Sequence, residues 1–346
     1  MKNEIFAVIS AVIAIASLTA CSNDAAILTD TNVSKYVKIG EYKNMTVNST
    51  QYELYDEDIQ AAMEDLFRSQ CEPVALKEGS VANGEWINID YTGKVAGSEY
   101  GGGSEDGRFI KDGAASIVPG FDEQVIGMKP GESKDFDVKL PDDYWSTSNA
   151  GKDASFTVKV NYIVPQITDE TVKGLNCADY STTEELKAFV TSELTAQMDD
   201  ANKSMALSAI KNRIMSGAEF ESFPEEMVNY QKEIINSSIA DILADFSAEL
   251  DAETYFQYAY NVPYSEVVDS SLKSRLVILL IAKKEKIKIT DEELSSSLAS
   301  LAAEKGVSEE EVLKNYNNDR EFFREFLITK KVNDFLYDNN TVEVLE

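Results

Sequence analysis

Ile117-Val118-Pro119-Gly120-Phe121, then Gly127-Met128-Lys129-Pro130-Gly131-Glu132, form the densest motif in the chain, with Asp90-Tyr91-Thr92-Gly93 upstream. What repeats in it is rings, aliphatic side chains and turn residues, which suit non-covalent work on an apolar surface. The chain has no histidine and three cysteines, Cys21, Cys71 and Cys177. A structural zinc site or a histidine-based triad therefore lacks its ligands. Two isolated cysteines, Cys71 and Cys177, make no disulfide framework and are expected as free thiols.

Strands must carry this motif. Ile87, Ile89 and Tyr91 alternate with Asn88 and Asp90, as do Phe136, Val138 and Leu140, and then Phe156, Val158, Val160 and Tyr162 with their polar neighbours. A period of two predicts half-buried strands. The glycine-rich Gly101-Gly102-Gly103 and the turn signals Met128-Lys129-Pro130-Gly131 and Pro141-Asp142-Asp143 lie between them, giving a compact β-rich domain over about 73–165. Upstream, Tyr36 to Val47 carries a weak strand signal, and Ile59, Met63, Leu66 and Phe67 recur at helical spacing.

Beyond Pro165 the period turns helical to the end. Ser181-Thr182-Thr183-Glu184, Thr290-Asp291-Glu292-Glu293 and Ser308-Glu309-Glu310-Glu311 are predicted capping boxes. Pro224 suits a helix start. Phe322, Phe323, Phe326, Leu327, Phe335 and Leu336 mark a last helix. Apolar stripes of this kind are ordinarily helix packing, while Tyr255, Phe256, Tyr258, Tyr260 and Tyr264 suggest a surface that grips other polypeptides.

The start of the chain differs in kind. Lys2 precedes an apolar run from Ile5 to Leu18, shorter than the ~20 residues that span a bilayer, and the pattern predicts a secretory leader. Leu18-Thr19-Ala20-Cys21 resembles the lipobox of bacterial lipoproteins, which implies cleavage and acylation at Cys21. Residues 22–34 are polar and aperiodic, as a tether would be. Acidic residues outnumber basic ones 61 to 32, for a formal charge of -29. Such a field repels phosphate backbones, so nucleic acid and the ribosome are poor partners.

Taken in order, the tyrosine strand ending in Thr-Gly, the Pro-Gly-Phe entry to a short helix, the Pro-Gly-Glu turn, Pro-Asp-Asp-Tyr and a closing Phe-x-Val-x-Val strand resemble the FKBP prolyl isomerases over residues 83–164. The resemblance implies catalysis without a cofactor. A prolyl bond is planar by resonance and rotates over ~18–20 kcal/mol. A dry aromatic pocket that favours the twisted, less polar imide, helped by one or two hydrogen-bond donors, lowers that barrier without a nucleophile. Carried over residue by residue, the resemblance implies a pocket of Tyr91, Tyr100, Ile117, Val118, Phe121 and Phe156, with Val118 offering its backbone N–H. Tyr144 or Trp145 would supply a polar-tipped aromatic, and Phe109 an aromatic wall. The chain departs from the family pattern at Gly101, where many members carry an acid, and in the irregular strand around Arg108. A β-domain core without catalysis would also draw rings to these positions.

The segments flanking this domain resemble trigger factor, most clearly over Ser308 to Asn333. No counterpart of that family's basic ribosome-docking loop is found. The reading is an α+β chain: leader 1–20, tether 21–35, remnant strand and linker helix 36–72, an FKBP-like antiparallel sheet with a short helix over 73–165, and a helical trigger factor C-terminal-like chaperone domain over 166–346. The expected function is prolyl isomerisation and chaperoning of unfolded exported polypeptides, outside the cytoplasm, on a lipid anchor at the bacterial cell membrane. A non-catalytic holdase and a dedicated cell-surface binding lipoprotein are the alternatives.

Overall fold

The computed structural model describes residues 32–111, 117–245, 251–316 and 319–345. The leader, Cys21 and most of the tether lie outside the described residues.

The chain divides into two compact units, one made of Glu53–Asp199 and the other of the described residues before and after that stretch. The inserted unit opens with helix α1 (Asp56–Gln70), whose stripe Ile59, Met63 and Phe67 is buried. Its sheet follows: β3 (Trp86–Val95), β4 (Ser98–Lys111), β5 (Ser133–Lys139) and β6 (Asp153–Ile163), with the short helix α2 (Asp122–Val125) between β4 and β5. The spatial order is β4-β3-β6-β5, and every pairing is antiparallel. Alternation buries Ala154, Phe156, Val158 and Val160 of β6 in one apolar cluster with Ile87, Ile89 and Tyr91 of β3.

A second cluster in this unit joins α1 to residues beyond the sheet. Ile59, Met63, Phe67 and Cys71 pack with Tyr162, with Val172 of α3 (Asp169–Gly174), and with Tyr180, Leu186 and Val190. The compact unit is thus wider than the β-rich stretch 73–165 in both directions. The linker helix cannot bury its stripe on the sheet alone, and the first turns of the next long helix complete the cover. Cys71 and Cys177 are free thiols, and burial raises the Cys71 thiol above its ordinary range.

The other unit is helical: α4 (Thr183–Ser216), which begins in the inserted unit, α5 (Glu225–Ser238), α6 (Ala240–Asp245), α7 (Ala252–Tyr260), α8 (Tyr264–Glu285), α9 (Asp291–Lys305), α10 (Glu309–Lys314) and α11 (Arg320–Asp338). Caps follow the residue types. Thr290 and Glu293 exchange backbone bonds at α9, and Ser308 accepts from the Glu311 amide at α10. At α4 the cap falls one residue later than predicted: Thr182 accepts from the Glu185 amide, and Glu185 takes the Ser181 N–H. Glu185, not Glu184, is three residues beyond that cap.

Two short sheets tie the start of this unit to its later elements. Antiparallel β1 (Val37–Lys38) meets β7 (Glu219–Phe220), and β2 (Thr46–Ser49) pairs in parallel with β8 (Thr341–Val344). Asn340 reinforces the second by accepting from the Met45 amide at 2.9 Å and donating to the Tyr42 carbonyl at 3.1 Å. In the helical core, α8 supplies an unbroken apolar run from Leu276 to Ala282. Beside it Arg275 pairs with the buried Glu325, and Tyr230 lies under the guanidinium at 5.0 Å. Removing one partner of such a pair leaves an uncompensated buried charge, at a cost of about 3–5 kcal/mol.

The sheet of the inserted unit has register shifts on β3 between Asn88 and Ile89 and between Ile89 and Tyr91. A polar knot holds it there. Asp90 accepts from Asn161 at 2.7 Å and from the Gly107 amide at 2.9 Å, while Asn88 donates to the Gly107 carbonyl at 2.7 Å. Burial alone would raise the Asp90 carboxyl, but these donors and Lys159 hold it below the usual carboxylate range. An acid depressed by folding stabilises the fold above its unfolded value of about 3.9 and loses that contribution as pH falls through the folded one. The chain is therefore expected to lose stability below about pH 4 with Asp90 contributing to the slope. Chemical denaturation should show Asp90→Asn destabilised by about 1 kcal/mol at neutral pH, with part of that acid slope missing.

Candidate functional site

The motif residues converge on one cage of rings. Phe121 is fully buried at the entry to α2 and stands edge-on to Phe156 of β6, centroids 5.2 Å apart at 89°, and to Phe136 of β5 at 5.1 Å and 73°. Tyr91 of β3 closes the group, 5.8 Å from Phe121 and 6.2 Å from Phe156. Edge-to-face contact of this kind sets the positive rim of one ring against the negative face of the next. Phe121 is held in place by its own backbone, since its amide donates to the Val118 carbonyl at 3.1 Å.

Val118, Tyr91, Phe121 and Phe156 are buried, while Ile117, Phe136, Val138, Tyr100 and Tyr144 pack against them half-exposed. Among the described residues the Val118 N–H donates to no acceptor. Tyr100 and Tyr144 meet edge to face at 6.4 Å. Burial pushes the Tyr100 hydroxyl well above its ordinary pKa, with the neighbouring Tyr144 adding to the shift. Tyr91 is raised by burial as well, with Glu105 contributing and Arg108 opposing. Tyr91 and Tyr100 therefore stay protonated at physiological pH and can act as neutral donors.

Phe109 does not join the cage. It packs against Tyr162 at 6.2 Å and under Arg68, in the cluster built on α1, while its neighbour Ile110 is fully buried on the cage side. Adjacent residues on a strand point to opposite faces, so the irregular segment around Arg108 puts Ile110, not Phe109, at that wall. Trp145 also stands outside the cage cluster, 67% exposed, 5.5 Å from the Tyr144 ring. Phe136 is the ring that the motif leaves out. Its signal was present in the alternation of Phe136, Val138 and Leu140, but nothing in that pattern separates a cage ring from ordinary core.

Glycines shape the cage. A Cβ on Gly93 would lie 2.6 Å from the Phe156 ring and 2.7 Å from the Gly103 carbonyl, which explains the glycine that ends Tyr-Thr-Gly. A Cβ on Gly103 would meet the Tyr100 ring at 2.8 Å. The glycine-rich Gly101-Gly102-Gly103 is part of β4, and the missing side chains let rings lie against that strand. The arrangement is an apolar cluster of rings with the hydroxyl-bearing Tyr100 and Tyr144 and the half-exposed Ile117 packed at its edge. Among the described residues no group of acidic or cysteine side chains could hold a metal ion.

Comparison with known proteins agrees with this architecture. Residues 77–161 match the FKBP-type peptidyl-prolyl cis-trans isomerase family and residues 182–338 match the bacterial trigger factor C-terminus. The trigger factor of Staphylococcus aureus (strain Newman) is 31% identical over 317 residues, spanning 89% of this chain and 72% of that protein. That of Halothermothrix orenii is 29% identical over 321 residues, spanning 89% and 73%. A solved trigger factor chaperone, described for promiscuous substrate recognition in folding and assembly, aligns over 87% of this chain and 72% of its own with 18% identity and a TM-score of 0.43.

The tight seat of Gly93 yields a test of the cage. Gly93→Ala should destabilise the chain by about 1–3 kcal/mol, because the added methyl overpacks against Phe156 and the β4 backbone. Denaturant titration, with ring-proton shifts of Phe156 and Tyr91 as a local readout, should show both effects together.

Proposed function

The chain belongs to the trigger factor family, and on that premise we propose that it works outside the cytoplasm, lipid-anchored through Cys21 at the cell membrane, on exported polypeptides. It is a peptidyl-prolyl isomerase of the FKBP type and a chaperone. The observation that carries the assignment of its active site is the cage of Tyr91, Phe121, Phe136 and Phe156, with the Val118 amide, which meets no acceptor among the described residues, beside it.

The physics of the reaction fits this cage. The planar imide owes its barrier to resonance, which puts negative charge on the carbonyl oxygen and is lost as the bond twists. Water solvates the planar form better than the twisted one, so a dry cage favours the twisted form. In our reading the pyrrolidine ring of the substrate rests on Phe121, with Tyr91, Phe136 and Phe156 as walls. The Val118 N–H takes one flanking carbonyl, and the hydroxyl of Tyr144 takes the imide oxygen. These donors hold the substrate's carbonyls in place while the bond turns, and the lower barrier comes from the dry cage. Ile117 and Tyr100 complete the apolar rim.

The placement at the membrane rests on other features. Leu18-Thr19-Ala20-Cys21 follows an apolar run with a basic start, and this motif directs acylation. The charge of -29 disfavours ribosomal RNA as a docking surface. Exposed rings on the helical unit, Tyr258 at 90% and Phe326 at 44%, suit transient contact with unfolded chains.

Two measurements test this reading. Full-length protein should accelerate cis–trans exchange in short prolyl peptides, and Phe121→Leu should cut kcat/KM by about tenfold or more while still folding; an undiminished rate in a folded variant would remove the cage from the mechanism. In cells, Cys21→Ser should lose incorporation of labelled fatty acid and leave the membrane fraction, and unchanged fractionation would refute the anchor.

A further inference from the structure

A chain of formal charge -29 held at a bilayer of anionic lipid is pushed from that surface by its own field. The sign of the charge reverses where the tether enters the helical unit. Asn32, the first described residue, accepts from the Lys283 ammonium at 3.2 Å, so the chain arrives at the C-terminal end of α8. Lys283 and Lys284 stand in the last turn of that helix, and Lys286 and Lys288 follow it. Lys35 closes the short turn Val33–Lys35, whose Val33 packs in one buried cluster with Ile281 and Ala282. All five lysines are exposed, and among the described residues none of them forms an ion pair. Lys38 stands opposite Glu219 and is left out of the group. Nearby acids are mostly engaged: Glu285 by Lys43 and Tyr42, Asp291 by Arg324 and Glu293 by Lys331. The negative end of a helix attracts lysines to its last turn, but that pull does not extend to Lys288 or to Lys35 on a separate element.

We propose that Lys35, Lys283, Lys284, Lys286 and Lys288 form a docking face for the anionic phospholipid headgroups of the bilayer that receives the Cys21 anchor. This rests on the lipoprotein reading given above. Even fully extended, the stretch from Cys21 to Asn32 spans at most about 40 Å, so the face is always within reach of the headgroups. Salt confines the attraction to about 8 Å at physiological ionic strength, so the charges that count are those that touch the surface. A lysine at an anionic surface strengthens binding by about fivefold. The consequence is orientation: the end of α8 lies on the bilayer instead of tumbling at the end of a tether.

The test is a footprint of the lysines. Full-length protein carrying labelled fatty acid on Cys21 is reconstituted in vesicles of phosphatidylcholine, with or without phosphatidylglycerol, and treated with a neutral amine-reactive reagent. Modification at the five lysines should fall by about fivefold or more in the vesicles with phosphatidylglycerol and recover in high salt. Lys305, in the last turn of α9, should react equally in both. Lys286→Glu combined with Lys288→Glu, in protein that a melting curve shows to be folded, should abolish the protection of Lys35, Lys283 and Lys284. Equal modification of the face in the two kinds of vesicle overturns the proposal, as does protection that survives the double substitution. Protection that appears without lipid and grows with protein concentration assigns the face to the acidic surface of a second copy, and overturns it too. If Cys21 takes no fatty acid, the anchor reading fails, and the face is judged by adding the protein to the same vesicles: protection that depends on phosphatidylglycerol upholds it, and none overturns it.

Discussion

The ring of Phe121, wedged edge-on between Phe136 and Phe156 and capped by Tyr91, is the contact on which the isomerase unit depends. It joins three strands and the short helix α2 through one side chain. Each edge-to-face pair adds about 0.5–1.5 kcal/mol beyond the area it buries. The same packing that stabilises the sheet makes a dry, aromatic enclosure. Stability and catalysis therefore draw on one set of atoms, and the reaction asks only that water be kept away from a twisting imide.

Such a cage needs backbone close to rings, and glycine is how the chain provides it. Gly93 lets Phe156 approach β3, Gly103 lets Tyr100 lie across β4, and Gly102 seats Trp145. Two of these glycines, Gly102 and Gly103, lie in the edge strand β4 and weaken it. The knot of Asn88, Asp90, Gly107 and Asn161 offsets part of this by pinning β4 to β3 and β6 where their registers shift.

The helical unit is organised around a different constraint, a buried charge. Arg275 and Glu325 hold α8 to α11, and Gln231 of α5 joins them by donating to Ser271 at 2.9 Å. Burial works against the Arg275 cation, and Glu325 more than restores it, so the guanidinium stays charged. Apolar packing alone slides easily between helices, whereas a two-toothed guanidinium–carboxylate contact tolerates one register. The early segment with β2 is bound to β8, so this unit is built from described residues on both sides of the inserted stretch in the sequence.

Local rules made much of this legible in the sequence. Alternation set β3, β5 and β6, hydroxyl and acidic residues set the caps of α9 and α10, and the ordered motif set the cage members Tyr91, Val118, Phe121 and Phe156. Those signals act over a few residues, through side-chain period and backbone geometry, and need no partner to be read. What required the tertiary structure was choice among partners distant in the chain. Phe109 and Ile110 look equally suited to a wall until the strand's facing sends one to each cluster. The glycine run has no role legible in the sequence until rings arrive from Tyr100 and Trp145, and α1 reads as a linker until Tyr180, Leu186 and Val190 cover it. The pairing of β2 with β8 had no local signal at all, because hydrogen bonds between strands almost three hundred residues apart are decided by the packing of everything between them.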